Sequence, residues 1–334
     1  MRKKIGPGLK RWFLYSLVAV LVSGCGGINF NLWPDRAKPL KERVLEGKAD
    51  GKVAIIPISG IISEAPQRDL IGKEPSMVQD VVAQLRLAER DPEVKAVLLK
   101  VASPGGTVTA SDLLYHEIQV FKERKKVKVM AVMMNTAASG GYYVSLPADL
   151  IYAHPTTITG SIGVIFMRPK VTGLMDKMGV TVEIDKTGRN KDMGSPYRPV
   201  TPEEKELFKG LLDRMGKRFL DLVARHRKIS PEQLTTAATA RVFMADEALA
   251  LKLIDKIGYL PEALQELKKQ SGLAEDAKVV IYRRTALPDE NIYSLGPEIE
   301  AAGRTALVDL PFSENLAGYQ TGFYYLWAPG FKGD

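Results

Sequence analysis

Short apolar runs recur along this chain, each followed by a stretch with helical period, and this alternation restricts the folds open to it. Val53–Ile58, Ala96–Val101, Val127–Met134 and Leu150–Ala153 carry few polar residues, as strands buried on both faces do. Between the first two, Ser76-Met-Val-Gln79 has capping-box spacing, and Val78, Val81, Val82, Leu85 and Leu87 place apolar groups near helical period. Further helices are expected over about 109–122 and from about 138. Strands alternating with helices predict an α/β fold of βαβ units, with a mainly parallel sheet covered by helices. Thr201-Pro-Glu-Glu204 then supplies an N-cap, a proline at the first helical position and a glutamate at the third. Leu207, Leu211, Leu212, Met215, Phe219, Leu220 and Val223 follow at helical spacing, predicting a long amphipathic helix to His226. Shorter helices are expected near 231–237, 245–251 and 261–270, and a strand at 279–282. After that strand the chain reads as irregular, ending in Phe323-Tyr-Tyr-Leu-Trp327, for which local packing is favoured over closing a neighbour's groove or touching lipid.

The +8 net charge invites a nucleic-acid reading, but five of the basic side chains lie in residues 1–24, which hold no acid, leaving only +3 on the rest. The basic run Lys122–Lys128 has no interleaved aromatics and reads as a solvated helix end, so no nucleic-acid partner is expected. The apolar stretch Trp12–Val22 is short against the ~20 residues a membrane-spanning helix needs, and reads as an export signal. It ends in Val22-Ser-Gly-Cys25, which resembles the bacterial lipobox, in which cleavage leaves a lipidated cysteine as the first residue. That resemblance implies residues 1–24 as signal peptide with lipobox, an exported bacterial lipoprotein anchored to the membrane through Cys25, and a catalytic domain outside the cytoplasm. Residues 25–50 lack a sustained period and read as a tether. With Cys25 the single cysteine, no intramolecular disulfide can form.

Two glycine turns follow predicted strands. In Ser103-Pro-Gly-Gly106 the glycines let main-chain N–H groups face an open site, able to hold a phosphate or a developing oxyanion. No GxxxxGK[ST] motif occurs, which disfavours phosphate. In Asn135-Thr-Ala-Ala-Ser139-Gly-Gly-Tyr-Tyr143, small residues leave room around Ser139, a placement suited to a nucleophile. A serine needs a base. His116 and His226 sit in predicted helices and His154 precedes a proline, so none is a strong candidate. A lysine serves if its pKa is lowered by burial or nearby cations; Lys186-Thr-Gly-Arg-Asn-Lys191-Asp192, after a strand expected over Val180–Ile184, offers candidates but reads alone as a surface loop.

The ordered set SPGG, AASGGYY, TGSIGVI (Thr159–Ile165) and KTGRNKDMGSP (Lys186–Pro196) resembles the signal peptide peptidase A family of serine–lysine proteases, over about residues 51–270. The resemblance implies a crotonase-like and Clp-protease-like spiral of βαβ units with a C-terminal helical extension, residues 271–334 lying beyond the protease domain. It makes Ser139 the nucleophile and Lys191 the general base, with an oxyanion hole from Gly140 and an SPGG glycine, Gly106 favoured over Gly105. Ser161 would steady the lysine, while Asp192 reads as structural or charge-compensating. It also implies a homo-oligomeric ring or dome whose serine and lysine can come from neighbouring subunits, and substrates that are cleaved signal peptides or other extended apolar peptides. No metal and no cofactor are expected. Two other readings stay open: a catalytically silent scaffold or binding lipoprotein, and an acyl-CoA enzyme of the crotonase type.

Overall fold

The computed structural model describes residues 38–69, 72–294 and 321–329. The signal segment, the lipobox and Cys25 lie outside the described residues. The first elements are β1 (Lys41–Glu46), β2 (Ala49–Ser59), the small hairpin β3 (Gln67–Asp69) and β4 (Gly72–Glu74), and α1 (Met77–Arg90). Then come β5 (Val94–Ser103), β6 (Gly105–Thr107), α2 (Val108–Lys125), β7 (Lys128–Ala138), α3 (Gly140–Ser145), β8 (Leu150–Ala153), β9 (Ile158–Gly160), β10 (Ile165–Met167) and α4 (Thr172–Met178). The remainder is α5 (Pro202–His226), α6 (Pro231–Ala237), β11 (Val242–Met244), α7 (Ala245–Ala250), β12 (Lys256–Ile257), α8 (Leu260–Gln270), β13 (Ala277–Arg283) and β14 (Gly322–Leu326).

The main sheet runs β1-β13-β2-β5-β7-β8-β12, with β9 paired to the end of β7 and β11 to β9. Pairing is parallel from β13 through β12, and only β1 and β11 join antiparallel. The apolar runs produce this sheet because alternate residues bury opposite faces. Ala54, Ile56, Val97, Leu99, Val129 and Ala131 join one core with Val81 and Leu85 of α1 and Leu114, Ile118 and Phe121 of α2. Val53, Ile55, Ala96, Leu98, Met130 and Val132 form the other with Leu260, Leu264 and Leu267 of α8. The expected α/β architecture is therefore present, and α5 starts on the capping box read at Thr201, whose hydroxyl accepts from the Glu204 N–H.

Three segments depart from the sequence reading. Residues 41–46, expected within the tether, form an edge strand, Lys41 opposite Arg283 and Val44 opposite Val280; exposed and half-buried positions alternate from Glu42 to Glu46, as in a strand with one wet face. The segment after 271 is not appended to the globule: β13 sits inside the main sheet between β1 and β2. Residues 180–184, expected as a strand, form none: among the described residues no strand lies beside them to take their backbone bonds, and Val180, Val182 and Ile184 are each more than 40% exposed.

Candidate active site

Ser139 lies where β7 ends and α3 begins, with φ of 54° and ψ of −115°. Side chains rarely adopt that backbone. It is held from both sides: the Ser139 N–H donates to the Gly160 carbonyl at 2.8 Å, and the Ser139 carbonyl accepts from the Tyr143 N–H at 2.9 Å. Behind it, α3 is fastened by two buried tyrosines. The Tyr142 hydroxyl donates to the Leu253 carbonyl at 2.8 Å and the Tyr143 hydroxyl to Asp112 at 2.6 Å. Burial pushes both phenols well above their usual range. Ser139 is itself 1% exposed, and its Oγ has no hydrogen-bond partner among the described residues.

The SPGG turn runs alongside. The Ser103 hydroxyl donates to the Gly60 carbonyl at 2.6 Å and accepts from the Gly105 N–H at 3.0 Å, so the N–H of Gly105 is engaged within the turn. Gly106 N stands 3.1 Å from where a β-carbon on Gly140 would lie, and Gly105 Cα 3.0 Å from it. A β-carbon on Gly106 would fall 1.8 Å from the Ile62 carbonyl oxygen, so only glycine fits there. The N–H groups of Gly106 and Gly140 thus belong to one small region beside Ser139, an arrangement able to receive an oxyanion. Ser161, 8% exposed at φ of 51°, follows the Gly160 that anchors Ser139, because β9 pairs Gly160 with Ala138. Ser103 is the residue of this turn that the motif alone does not single out, although a serine two residues before a glycine is a common turn device.

Lys191 stands apart. It is exposed, and Ser139 Oγ touches no base, so one chain does not bring nucleophile and lysine together. The loop around Lys191 is nonetheless well braced. Asp192 accepts from Lys186 at 2.6 Å and from Arg198 at 2.7 and 2.9 Å, and Arg198 also pairs with Glu204 in the first turn of α5. Arg198, then Lys186, hold the Asp192 carboxyl far below the usual carboxylate range. None of the three histidines reaches Ser139: His226 bonds the Tyr115 hydroxyl at 2.8 Å, His154 pairs with Thr156, and His116 lies on α2. Among the described residues no cluster of His, Cys, Asp and Glu could hold a metal, and no helix is long and apolar enough to cross a membrane.

The aromatic segment near the C-terminal end completes the region. β14 lies between β6 and β10, antiparallel to both, with Tyr325 opposite Gly106, Leu326 opposite Gly105 and Phe323 opposite Phe166.

Comparison with known proteins decides the family. The model of peptidase family S49 matches residues 121–274 and that of Clp protease residues 71–154. A protein of Enterococcus faecium, provisionally named signal peptide peptidase SppA, is 35% identical over 248 residues, 73% of this chain and 70% of that protein. The chain belongs to the signal peptide peptidase A family of serine proteases, peptidase family S49. A provisionally named protease of Synechocystis is 33% identical over 67% of this chain and 76% of its own length. Protease 4 of Haemophilus influenzae is 29% identical over 80% of this chain, which spans only 42% of that longer relative. In this S49 chain the AASGGYY segment, with Ser139, lies in the stretch where both family models overlap.

Proposed function

We propose that this S49 protein is a membrane-associated endopeptidase in which Ser139 attacks a peptide carbonyl while Lys191 of a neighbouring copy takes the hydroxyl proton. The observation that carries the reading is the buried, unpartnered Ser139 Oγ beside the N–H groups of Gly106 and Gly140. A buried hydroxyl without a partner is costly, and a lysine amine entering from outside would supply one. Lys191 suits that role because it is exposed on a braced loop, next to an arm whose Val180, Val182 and Ile184 alternate in exposed apolar character, ready to join another chain.

In the reaction the two N–H groups hold the oxyanion, and Lys191 returns the proton to the leaving amine. Water activated by the same lysine then hydrolyses the acyl-enzyme. Ser161 steadies the amine. Substrates are cleaved signal peptides or other extended apolar segments, met at the membrane to which Cys25 ties the protein.

Mixing single variants tests this. Ser139→Ala and Lys191→Ala should each abolish turnover of an apolar peptide. Co-assembled in equal amounts they should regain about a quarter of wild-type activity, since random neighbours restore one site in four. No recovery in the mixed oligomer removes the shared site, and full activity in Lys191→Ala removes the dyad.

A further inference from the structure

Gly106 and Gly140 come from different parts of the chain, one from the turn after β5 and the other from the turn after β7, so their spacing depends on whatever touches both turns. Ser103 does. It ends β5, is fully buried, and stands in register with Ala137, just ahead of Ser139. Its hydroxyl ties down the first turn, donating to the Gly60 carbonyl at 2.6 Å and accepting from the Gly105 N–H at 3.0 Å. Its carbonyl oxygen meets the second turn: a β-carbon on Gly141 would lie only 2.4 Å from it, so the start of α3 packs directly on Ser103. On the far side of the first turn, the Ile62 N–H donates to the Gly105 carbonyl and the Thr107 N–H to the Ile62 carbonyl, both at 2.9 Å. Because successive residues of an extended segment present their N–H groups to opposite edges, the Gly106 N–H lies on the edge away from Ile62. Gly105 takes φ of 106°, and without a side chain its backbone is loosely restrained. Hydrogen bonds, not sterics, must therefore fix the peptide planes on either side of it. The Ser103 hydroxyl holds the plane before Gly105, and Ile62 the plane after it, which carries the Gly106 N–H.

From this geometry we infer that Ser103 is a positioning residue of the oxyanion hole, its hydroxyl fixing the Gly105 turn so that the Gly106 N–H is held at working distance from that of Gly140. The inference rests on the peptidase reading of Ser139. Ser103 touches no reacting atom and acts only through Gly105 and Gly106. Donors aimed in advance at the developing oxyanion favour the transition state over the bound substrate, and a small displacement of one of them is felt in the chemical step. Removing the hydroxyl leaves the Gly105 N–H and the Gly60 carbonyl without this partner, and the plane carrying the Gly106 N–H then has one anchor in place of two.

Ser103→Ala in the full-length, assembled protein tests this with an apolar peptide substrate and a matching peptide boronate, whose adduct with Ser139 places a hydroxyl where the oxyanion forms. The variant should lower kcat by about thirtyfold, less than outright loss of a donor, and leave KM within about twofold. Boronate affinity should fall by about the same factor as kcat, since both report the transition state. Ser103→Thr, which keeps the hydroxyl, should recover most of the lost kcat. A merely structural role would instead reduce the number of sites the boronate titrates, with kcat per titrated site and boronate affinity unchanged. That result overturns the proposal, as does a kcat within about twofold of wild type in Ser103→Ala, or a folded Ser103→Thr no faster than Ser103→Ala. Should Ser103→Ala fail to fold, Ser103→Cys, whose thiol is a weak donor and acceptor, takes its place with the same expected split between kcat and KM. Amide exchange reads the clamp without turnover: the Gly105 N–H should exchange at least about tenfold faster once the Ser103 hydroxyl is gone, and unchanged exchange overturns the assignment. Failure of the peptidase reading is distinguishable. A wild-type protein that neither cleaves peptide nor takes up boronate removes the chemistry, while faster exchange at Gly105 in the variant leaves the clamp standing.

Discussion

Ser139 carries backbone strain at the centre of the site. Its positive φ with ψ near −115° is a conformation favoured by glycine, and two main-chain hydrogen bonds enforce it. Ser139→Gly should therefore abolish turnover yet raise stability by about 1 kcal/mol in urea unfolding, the relieved strain outweighing the extra freedom of glycine in the unfolded chain. A loss of stability would show that the hydroxyl is worth more to the fold than the strain costs. Lys100 is a second residue whose environment predicts behaviour. It is 3% exposed in β5 and donates to the Ile292 carbonyl at 2.8 Å, and burial, reinforced by Arg283, lowers its pKa to about 8. Between that value and an unfolded pKa of about 10.4 the unfolded chain holds more protons, so this group makes stability rise with pH. Wild type should gain stability from pH 8 to 9.5, and Lys100→Met should flatten that rise. Both glycine turns were legible in the sequence because their chemistry lies in the main chain. Ser103 and Lys100 were not, since what they do depends on Gly60, Gly105 and Ile292, contacts that only folding creates.

Among the elements, α5 links the lysine loop to the body. Its capping glutamate, Glu204, is also the partner of Arg198, which grips Asp192 beside Lys191. Hydrogen bonding from Arg198 lowers the pKa of both carboxyls. A depressed carboxylate contributes stability above its unfolded pKa of about 4, and that contribution is lost as pH falls through the folded value. Proteolysis of the 186–198 loop should accordingly accelerate as pH drops below about 4, and Asp192→Asn should show the faster cleavage already at pH 7. Equal cleavage rates in the two proteins at pH 7 would detach the network from the loop. The long helix and its cap were readable from the period and from Thr201-Pro-Glu-Glu204. The strand expected at 180–184 was readable as a pattern but not as an element, because a strand is completed by its neighbour and the described residues supply none.

At the scale of the whole molecule, the same three exposed residues forecast assembly. Val182→Asp should leave the melting of the isolated chain within a few tenths of a kcal/mol, since the side chain is 47% exposed. It should shift sedimentation to smaller species and reduce turnover in step; unaltered assembly would place the subunit contact elsewhere. The alternation of strands and helices made the parallel sheet legible from sequence, whereas the place of β13 inside it and of β14 across the site arises from pairing between distant parts of the chain. That separation also has a consequence in time. β6, β7 and β10 all leave the ribosome well before residues 322–326, so each newly made molecule passes through an interval in which β6 and β10 have been made and the strand between them has not. In that interval the edges of β6 and β10 stand unpaired by β14, as any sheet edge awaiting its neighbour does.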